Sequence, residues 1–439
     1  MRLVRGAEEG RRLLARRPTD IELPPAVRQE IRRVFGAELD AQAVVERILG
    51  DVRDGGDAAV RRYNEAIDGV PPSAPMAVSR EEIAAACASV EAEVMAALRF
   101  AAGRIRAFHE AQLRHAAVSF EEGPFAQRVT ALERVGVYVP GTQAVYPSSV
   151  LMTAIPARVA GVRELYMATP AAADGAVSPL KLAAADIAGV DGVFRAGGAQ
   201  GIAALAFGTE SIPRVDKICG PGNIFVTLAK KAVHGLVGID GFFGPTETVV
   251  VADAGADPAL CAADLLAQAE HDALASPILI TDSEALAQAT LAEVDRQLAT
   301  LERAEIARAA LEARGLAVIV ASLEEALALA NEYAPEHLCL EVRDAARWAE
   351  RVANAGSVFV GGLSAEAIGD YTAGPSHVMP TGGSARFASS LGVHDFLKII
   401  SIVSLDRSAL AELGPPAATI ARAEGLTAHA RAIERRLEK

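Results

Sequence analysis

The chain has 439 residues, 51% of them hydrophobic, with 43 basic side chains against 56 acidic ones and a net charge of −13. That length exceeds one ordinary core, so two major α/β units with smaller additions are expected. An acidic surface disfavours nucleic-acid and anionic-membrane partners, which leaves small-molecule chemistry.

The amino terminus carries Arg2, Arg5, Arg11, Arg12, Arg16 and Arg17, but Glu8 and Glu9 interrupt them and no apolar run follows. It reads as neither a secretory signal nor a transit peptide. Residues 1–23 are expected to form an N-terminal helical segment. Helical periodicity continues to about residue 117, broken at Pro18, Pro24–Pro25 and Pro71–Pro72. From Arg134 the texture changes. RVGVYVPG reads as a strand entering a turn, SSVLMTAIPARVAGV as a closely packed helix, and ELYMATP, DGVFRAG and VDKIC as further strands. A second alternating series runs from ETVVVAD through a helix at 258–273, SPILITD, a long helix at about 283–313, LAVIV and SVFVGG. Strand and helix in alternation imply parallel sheets built from βαβ units.

The expected fold is therefore α/β, with two Rossmann-like parallel-sheet domains and small helical segments at both ends. Residues 24–117 and 246–390 are assigned to one discontinuous domain, 118–245 to the other, and 391–439 to a C-terminal helical dimerisation segment. No apolar stretch approaches the roughly 18 residues of a membrane span. Cys87, Cys219, Cys261 and Cys339 are scattered with no CxxC pair, as expected of reduced thiols in a cytoplasmic protein.

Four constellations could carry chemistry. In VDKICGPGNIF, Gly220, Pro221 and Gly222 follow a strand and Asn223 can cap the next helix, a place where a free helix N-terminus favours an anion. The same residues also suit a tight strand-to-helix turn with no ligand. AGGAQG at 196–201 forms a second glycine-rich strand end. On the helix after Pro258, Gln268 and His271 lie three apart and outside the apolar stripe, either as a solvated face or as two of the roughly four ligands zinc requires. Asp370 and His377 in GDYTAGPSH, and His429 near the C terminus, could supply others. Glu336 and His337 stand together after Pro335, where a carboxylate and an imidazole can address different atoms of one substrate.

Several collinear stretches carry a resemblance to the histidinol dehydrogenase family. They include VGVYVPG at 136, YPSSVLMTAIPARVAGV at 146, GGAQGIAALAFGTESIPRVDKICGPGN at 197, DLLAQAEHD at 264, YAPEHL at 333, GDYTAGPSHVMPTGG at 369 and EGLTAHA at 424. The resemblance implies zinc ligation by Gln268, His271, Asp370 and His429, with one zinc per subunit, and Glu336 and His337 as the catalytic pair. It implies substrate contacts from these ligands, His337, Thr246, His377 and Glu424, and an NAD side at Tyr138, Gln200 and Asn223. It also implies a domain-swapped homodimer whose C-terminal segment completes the neighbour's site. The family reaction oxidises L-histidinol to L-histidine through L-histidinaldehyde, the final step of histidine biosynthesis. The alternative is a paralogous dehydrogenase of the same fold acting on another small amino alcohol or polar diol. Thr246 stands where the family commonly has serine, Phe242 and Phe243 where small residues are usual, GTQA replaces a double-glycine turn, and Ser376 replaces a frequent asparagine.

Overall fold

The run Glu247–Ala252, ETVVVA, is rich in β-branched residues and buried at every position, as befits a parallel strand covered by helices on both faces. In the computed structural model, which describes residues 1–16, 23–116, 118–141 and 145–438, it lies inside a six-stranded parallel sheet. That sheet is ordered Arg2–Arg5, Leu316–Ile319, Ser276–Thr281, Glu247–Ala252, His337–Glu341 and Ser357–Val360. A second parallel sheet of five strands is ordered Gly192–Arg195, Glu164–Thr169, Arg134–Tyr138, Lys217–Cys219 and Gly238–Ile239. In each sheet the chain winds one way and then the other from a central strand. The order therefore reverses between Arg134–Tyr138 and Lys217–Cys219, and again between Glu247–Ala252 and His337–Glu341.

Helices cover both faces of each sheet, which gives two apolar layers per sheet. The two expected parallel-sheet units are thus present, and the strands anticipated between residues 134 and 360 all form. The break at Pro18 and the turn residues 142–144 lie outside the described residues. No described helix is long and apolar enough to cross a membrane, and all four cysteines are free.

Three expectations about the ends and grouping of the chain are corrected. The N-terminal segment is not wholly helical, because Arg2–Arg5 adds an edge strand beside Leu316–Ile319 before the helix Ala7–Leu14 begins. Only Val4 of that strand is buried, so it shows no alternating apolar pattern in the sequence. Residues 24–117, assigned with 246–390, pack on the five-stranded sheet instead. Helix Ala41–Tyr63 lies on Gly198–Phe207 and Ile224–Val233, and Ala92–Ala116 lies on Pro147–Ala160. An apolar stripe shows that a helix is covered but does not identify the sheet that covers it. Finally, 391–439 contains the strand Leu397–Val403, paired antiparallel with Phe125–Ala131, before its two helices. The long helix expected at 283–313 is divided into Glu284–Leu298 and Ala304–Ala313.

Candidate active site

Thr246 and Glu336 stand immediately before adjacent parallel strands, Glu247–Ala252 and His337–Glu341, so both lie at the amino edge of the six-stranded sheet. Helix Pro258–Ala269 returns antiparallel to those strands and delivers Gln268 to the same edge, with His271 just beyond its end. Its start is set by Asp257, whose side chain accepts from Ala259 N–H at 2.8 Å, with Pro258 in the first turn. The short helix Glu366–Tyr371 brings Asp370. Helix Leu323–Tyr333 ends at Ala334 in the left-handed region, φ 53°, and Pro335 then turns the chain into Glu336 and His337.

Hydrogen bonds join these side chains into one network. The Thr246 hydroxyl is 2.6 Å from Glu336 Oε2 and 2.7 Å from Gln268 Oε1. Backbone N–H of Glu247 donates to Glu336 Oε2 at 3.0 Å. Gln268 Nε2 lies 3.1 Å from His337 Nδ1, while Glu247 carbonyl lies 3.3 Å from the same nitrogen. His337 Nε2 faces Asp370 Oδ1 at 3.5 Å and has no hydrogen-bond partner. The His337 ring stacks on Phe359 with centroids 5.8 Å apart. His377 Nδ1 donates to Asp370 carbonyl at 2.9 Å, and its Nε2 lies 3.0 Å from Ser149 Oγ.

The electrostatics follow from burial. Glu336 is buried, which pushes its carboxyl up to about 7 against the bonds from Thr246 and Glu247 and the nearby His337. Burial pulls the His337 imidazole down, but Asp370, Glu336 and Glu366 outweigh it and raise the group to about 10. Burial pulls His271 and His377 below the ordinary imidazole value, which keeps their nitrogens neutral and available as donors of lone pairs. Burial opposes ionisation of Asp370, yet His337 holds its carboxyl below the ordinary range.

Glu336 Oε2 and His337 Nδ1 each have neighbours that can serve more than one protonation state. Neutral His337 accepts from Gln268 Nε2 at Nδ1 and directs its proton from Nε2 toward Asp370; protonated His337 can donate from Nδ1 to Glu247 carbonyl. The single Thr246 hydrogen can likewise point to an ionised Glu336, or to Gln268 when Glu336 carries a proton. Such an arrangement lets Glu336 Oε2 and His337 Nδ1 change protonation with a partner in place, while His337 Nε2 stays without one.

The expected cofactor residues gather around the other sheet, at the carboxyl ends of its strands. Tyr138 ends its strand, is buried, and its hydroxyl accepts from Gly198 N–H at 2.9 Å. Gln200 is fully buried, bonded to Asn64 through Nε2 at 3.3 Å, with Oε1 lacking a partner. Asn223 caps Ile224–Val233 by accepting from Phe225 and Val226 N–H, as its place after GPG suggested. Gly220 has φ +116°, and a Cβ there would sit 2.1 Å from Tyr138 carbonyl, so the GPG turn can press against the neighbouring strand end only as glycine. This crevice is the switch point of the sheet, where open α/β folds bind ligands.

Glu424 and His429 are not brought to either place within one chain. They are exposed on helices Arg407–Ala423 and Thr427–Leu437, which pack mainly on each other through Ala418, Ala421 and Ala430. The expected metal set is consequently incomplete: among the described residues, no group of three or more His, Cys, Asp or Glu side chains is arranged to hold a metal. The donors that do converge fit a borderline divalent ion in kind, with an amide oxygen, a neutral imidazole and an ionised carboxylate from Gln268, His271 and Asp370. Sequence reasoning missed several supporting groups. Glu366, fully buried, accepts from Thr248 Oγ1 at 2.6 Å; Lys230 and Asp240 form a buried ion pair, and Asp240 also accepts from Gly220 N–H at 2.6 Å. Lys230 shares the buried stripe of its helix with Val226, Ala229 and Val233, while Lys231 is exposed, and a charged residue at an apolar stripe position was the available signal.

The molecule thus falls in the class of two-sheet, Rossmann-like α/β proteins with a buried acid–imidazole pair at one sheet edge. A family model described as histidinol dehydrogenase matches residues 32–437. Histidinol dehydrogenase from Dehalococcoides mccartyi is 49% identical over 439 residues, covering 100% of both chains, and that from Deinococcus radiodurans is 51% identical over 441 residues with the same coverage. The crystal structure of histidinol dehydrogenase from Elizabethkingia anophelis superposes with a TM-score of 0.91 at 35% identity, covering 100% of this chain and 98% of that one. The chain belongs to the histidinol dehydrogenase family, a family of oxidoreductases.

Proposed function

We propose that the protein oxidises L-histidinol to L-histidine through L-histidinaldehyde, as the last step of histidine biosynthesis in the cytoplasm. NAD would take the hydride in each of two oxidations, and one zinc per subunit would orient the substrate nitrogens. His337 takes the alcohol proton as the first hydride departs. Glu336 then removes a proton from water as that water adds to the aldehyde carbon, and His337, once its first proton has passed to solvent, accepts the hydroxyl proton of the hydrate in the second oxidation. Gln268, His271 and Asp370 would hold the metal, joined by His429 of a second copy in a domain-swapped homodimer. Glu424 would accompany His429 and face the substrate ammonium, with Thr246 and His377 closing the pocket. Tyr138, Gln200 and Asn223 would contact the dinucleotide.

The observation that supports this reading is the buried network that joins Glu336 and His337 through Thr246, Gln268 and the Glu247 backbone. Phe243, whose bulk raised the question of another alcohol, has its ring 4.6 Å from the Lys230 ammonium, while Phe242 is exposed. Steady-state NADH formation with L-histidinol and a panel of amino alcohols and diols tests the substrate. Two NADH per histidinol are expected; turnover of another alcohol with none of histidinol would sink the proposal.

A further inference from the structure

Glu336 and His337 are both held by the backbone of one residue, Glu247. Glu247 donates its N–H to Glu336 Oε2 at 3.0 Å, and its carbonyl lies 3.3 Å from His337 Nδ1. Its own side chain is only 7% exposed, and Arg16 grips both carboxylate oxygens with a parallel fork, at 2.5 and 2.7 Å. Gly382 N–H adds a bond to Oε1 at 3.3 Å.

Arg16 does not stop at Glu247. Its Nε and one terminal nitrogen donate to Tyr333 carbonyl at 3.1 and 2.9 Å, and its guanidinium lies 3.9 Å over the Tyr333 ring. Tyr333 is the last residue of the helix that leads, through left-handed Ala334 and Pro335, into Glu336 and His337. One guanidinium therefore ties the strand residue that holds the pair to the helix end from which the pair departs. The approach depends on Gly383, φ +82°, where a Cβ would fall 2.8 Å from Arg16 Nε. Arg16 precedes residues 32–437, the span matched by the family model. It hangs from the segment whose strand Arg2–Arg5 edges the sheet.

We propose that Arg16, acting through Glu247 and Tyr333, is a positioning residue that makes the N-terminal segment part of the catalytic apparatus. It touches neither substrate nor cofactor. Its work is to fix the Glu247 peptide and the 333–336 turn, so that Glu336 and His337 keep their separation and aim. Displacement of a reacting group by about 1 Å can lower a rate by about a hundredfold. A lysine cannot reproduce the fork, since its ammonium offers a single point charge.

The proposal rests on the reading of Glu336 and His337 as the catalytic pair, and two readouts separate the failure of one from the failure of the other. In the full-length zinc-loaded protein, Arg16→Met should lower kcat by at least about tenfold, with KM for histidinol and NAD within about twofold and zinc content unchanged. Arg16→Lys should recover only a minor part of that loss. Hydrogen–deuterium exchange should rise in peptides spanning 247 and 333–337, while those spanning 2–5 and 316–319 stay as protected as before. Exchange that is unchanged at 247 and 333–337, or that rises equally along the edge strand, would overturn the proposal, as would full recovery by Arg16→Lys. A protein that loosens locally as expected yet turns over no histidinol, even unmutated, would keep the brace and refute the assigned reaction.

Discussion

Replacing Glu336 by glutamine separates its proton chemistry from its place in the frame. The amide oxygen can occupy the position of Oε2 and retain the bonds from Thr246 at 2.6 Å and Glu247 N–H at 3.0 Å. What disappears is a group that can gain and lose a proton. A positioned acid or base contributes about 10²–10⁴ to a rate, so turnover should fall by that factor, or about 3–5 kcal/mol of barrier. Stability should move in the opposite direction. Burial raises the folded carboxyl from its ordinary value of 4.5 to about 7, so the wild type carries its full stability below the unfolded value and loses some as pH rises toward the folded one. That loss is at most about 3 kcal/mol, and the glutamine variant escapes it. NADH formation measures the first effect, and calorimetry of the zinc-stripped proteins between about pH 5 and about pH 8 measures the second. Turnover near wild type, or a stability difference that does not grow with pH in the variant's favour, would refute the reasoning.

His337→Asn should lower turnover by at least about a hundredfold while metal analysis finds zinc retained, since the ring is not assigned as a ligand. His271→Ala should weaken zinc binding more than about tenfold in equilibrium dialysis, because it removes one of the proposed ligands. Lys230→Met strands Asp240 as a buried charge beneath the Gly220 turn and should destabilise the fold by about 3–5 kcal/mol in urea unfolding, as both partners are almost wholly enclosed. Glu336→Gln and Glu424→Gln subunits, each inactive alone, should regain about a quarter of the wild-type sites when dissociated and mixed in equal amounts. Recovery of nothing would place Glu424 in the same chain's site as Glu336.

The sequence made the strands between residues 134 and 360 legible because nearly all are short apolar runs bounded by turns, and buried parallel strands need little else. Arg2–Arg5 and Leu397–Val403 escaped notice for a shared reason. One is an edge strand with a single buried residue, and the other is almost entirely exposed, so neither shows a face. Asn223 could be recognised as a helix cap from its position alone. Gln268 could not be separated from a solvated face until its amide was seen between Thr246 and His337. Arg16 and Glu247 were invisible because their contact closes over 231 positions of chain, and no local spacing encodes such a contact.

The two sheets share a winding plan, yet the proposed sites lie at opposite ends of their strands, and helix polarity supplies a physical reason. At the carboxyl ends of the five-stranded sheet stand helix N-termini, including the Asn223-capped turn, whose free N–H groups favour an anion such as a dinucleotide pyrophosphate. At the amino edge of the six-stranded sheet stands the C-terminus of Pro258–Ala269, whose carbonyls favour positive charge. Gln268 and His271 sit at that end, beside Asp370 and Glu366. A divalent metal and a substrate carrying an ammonium group would gain there from the same field that raises His337. On the proposed reading, the same architecture would favour an anion at one sheet end and cations at the other.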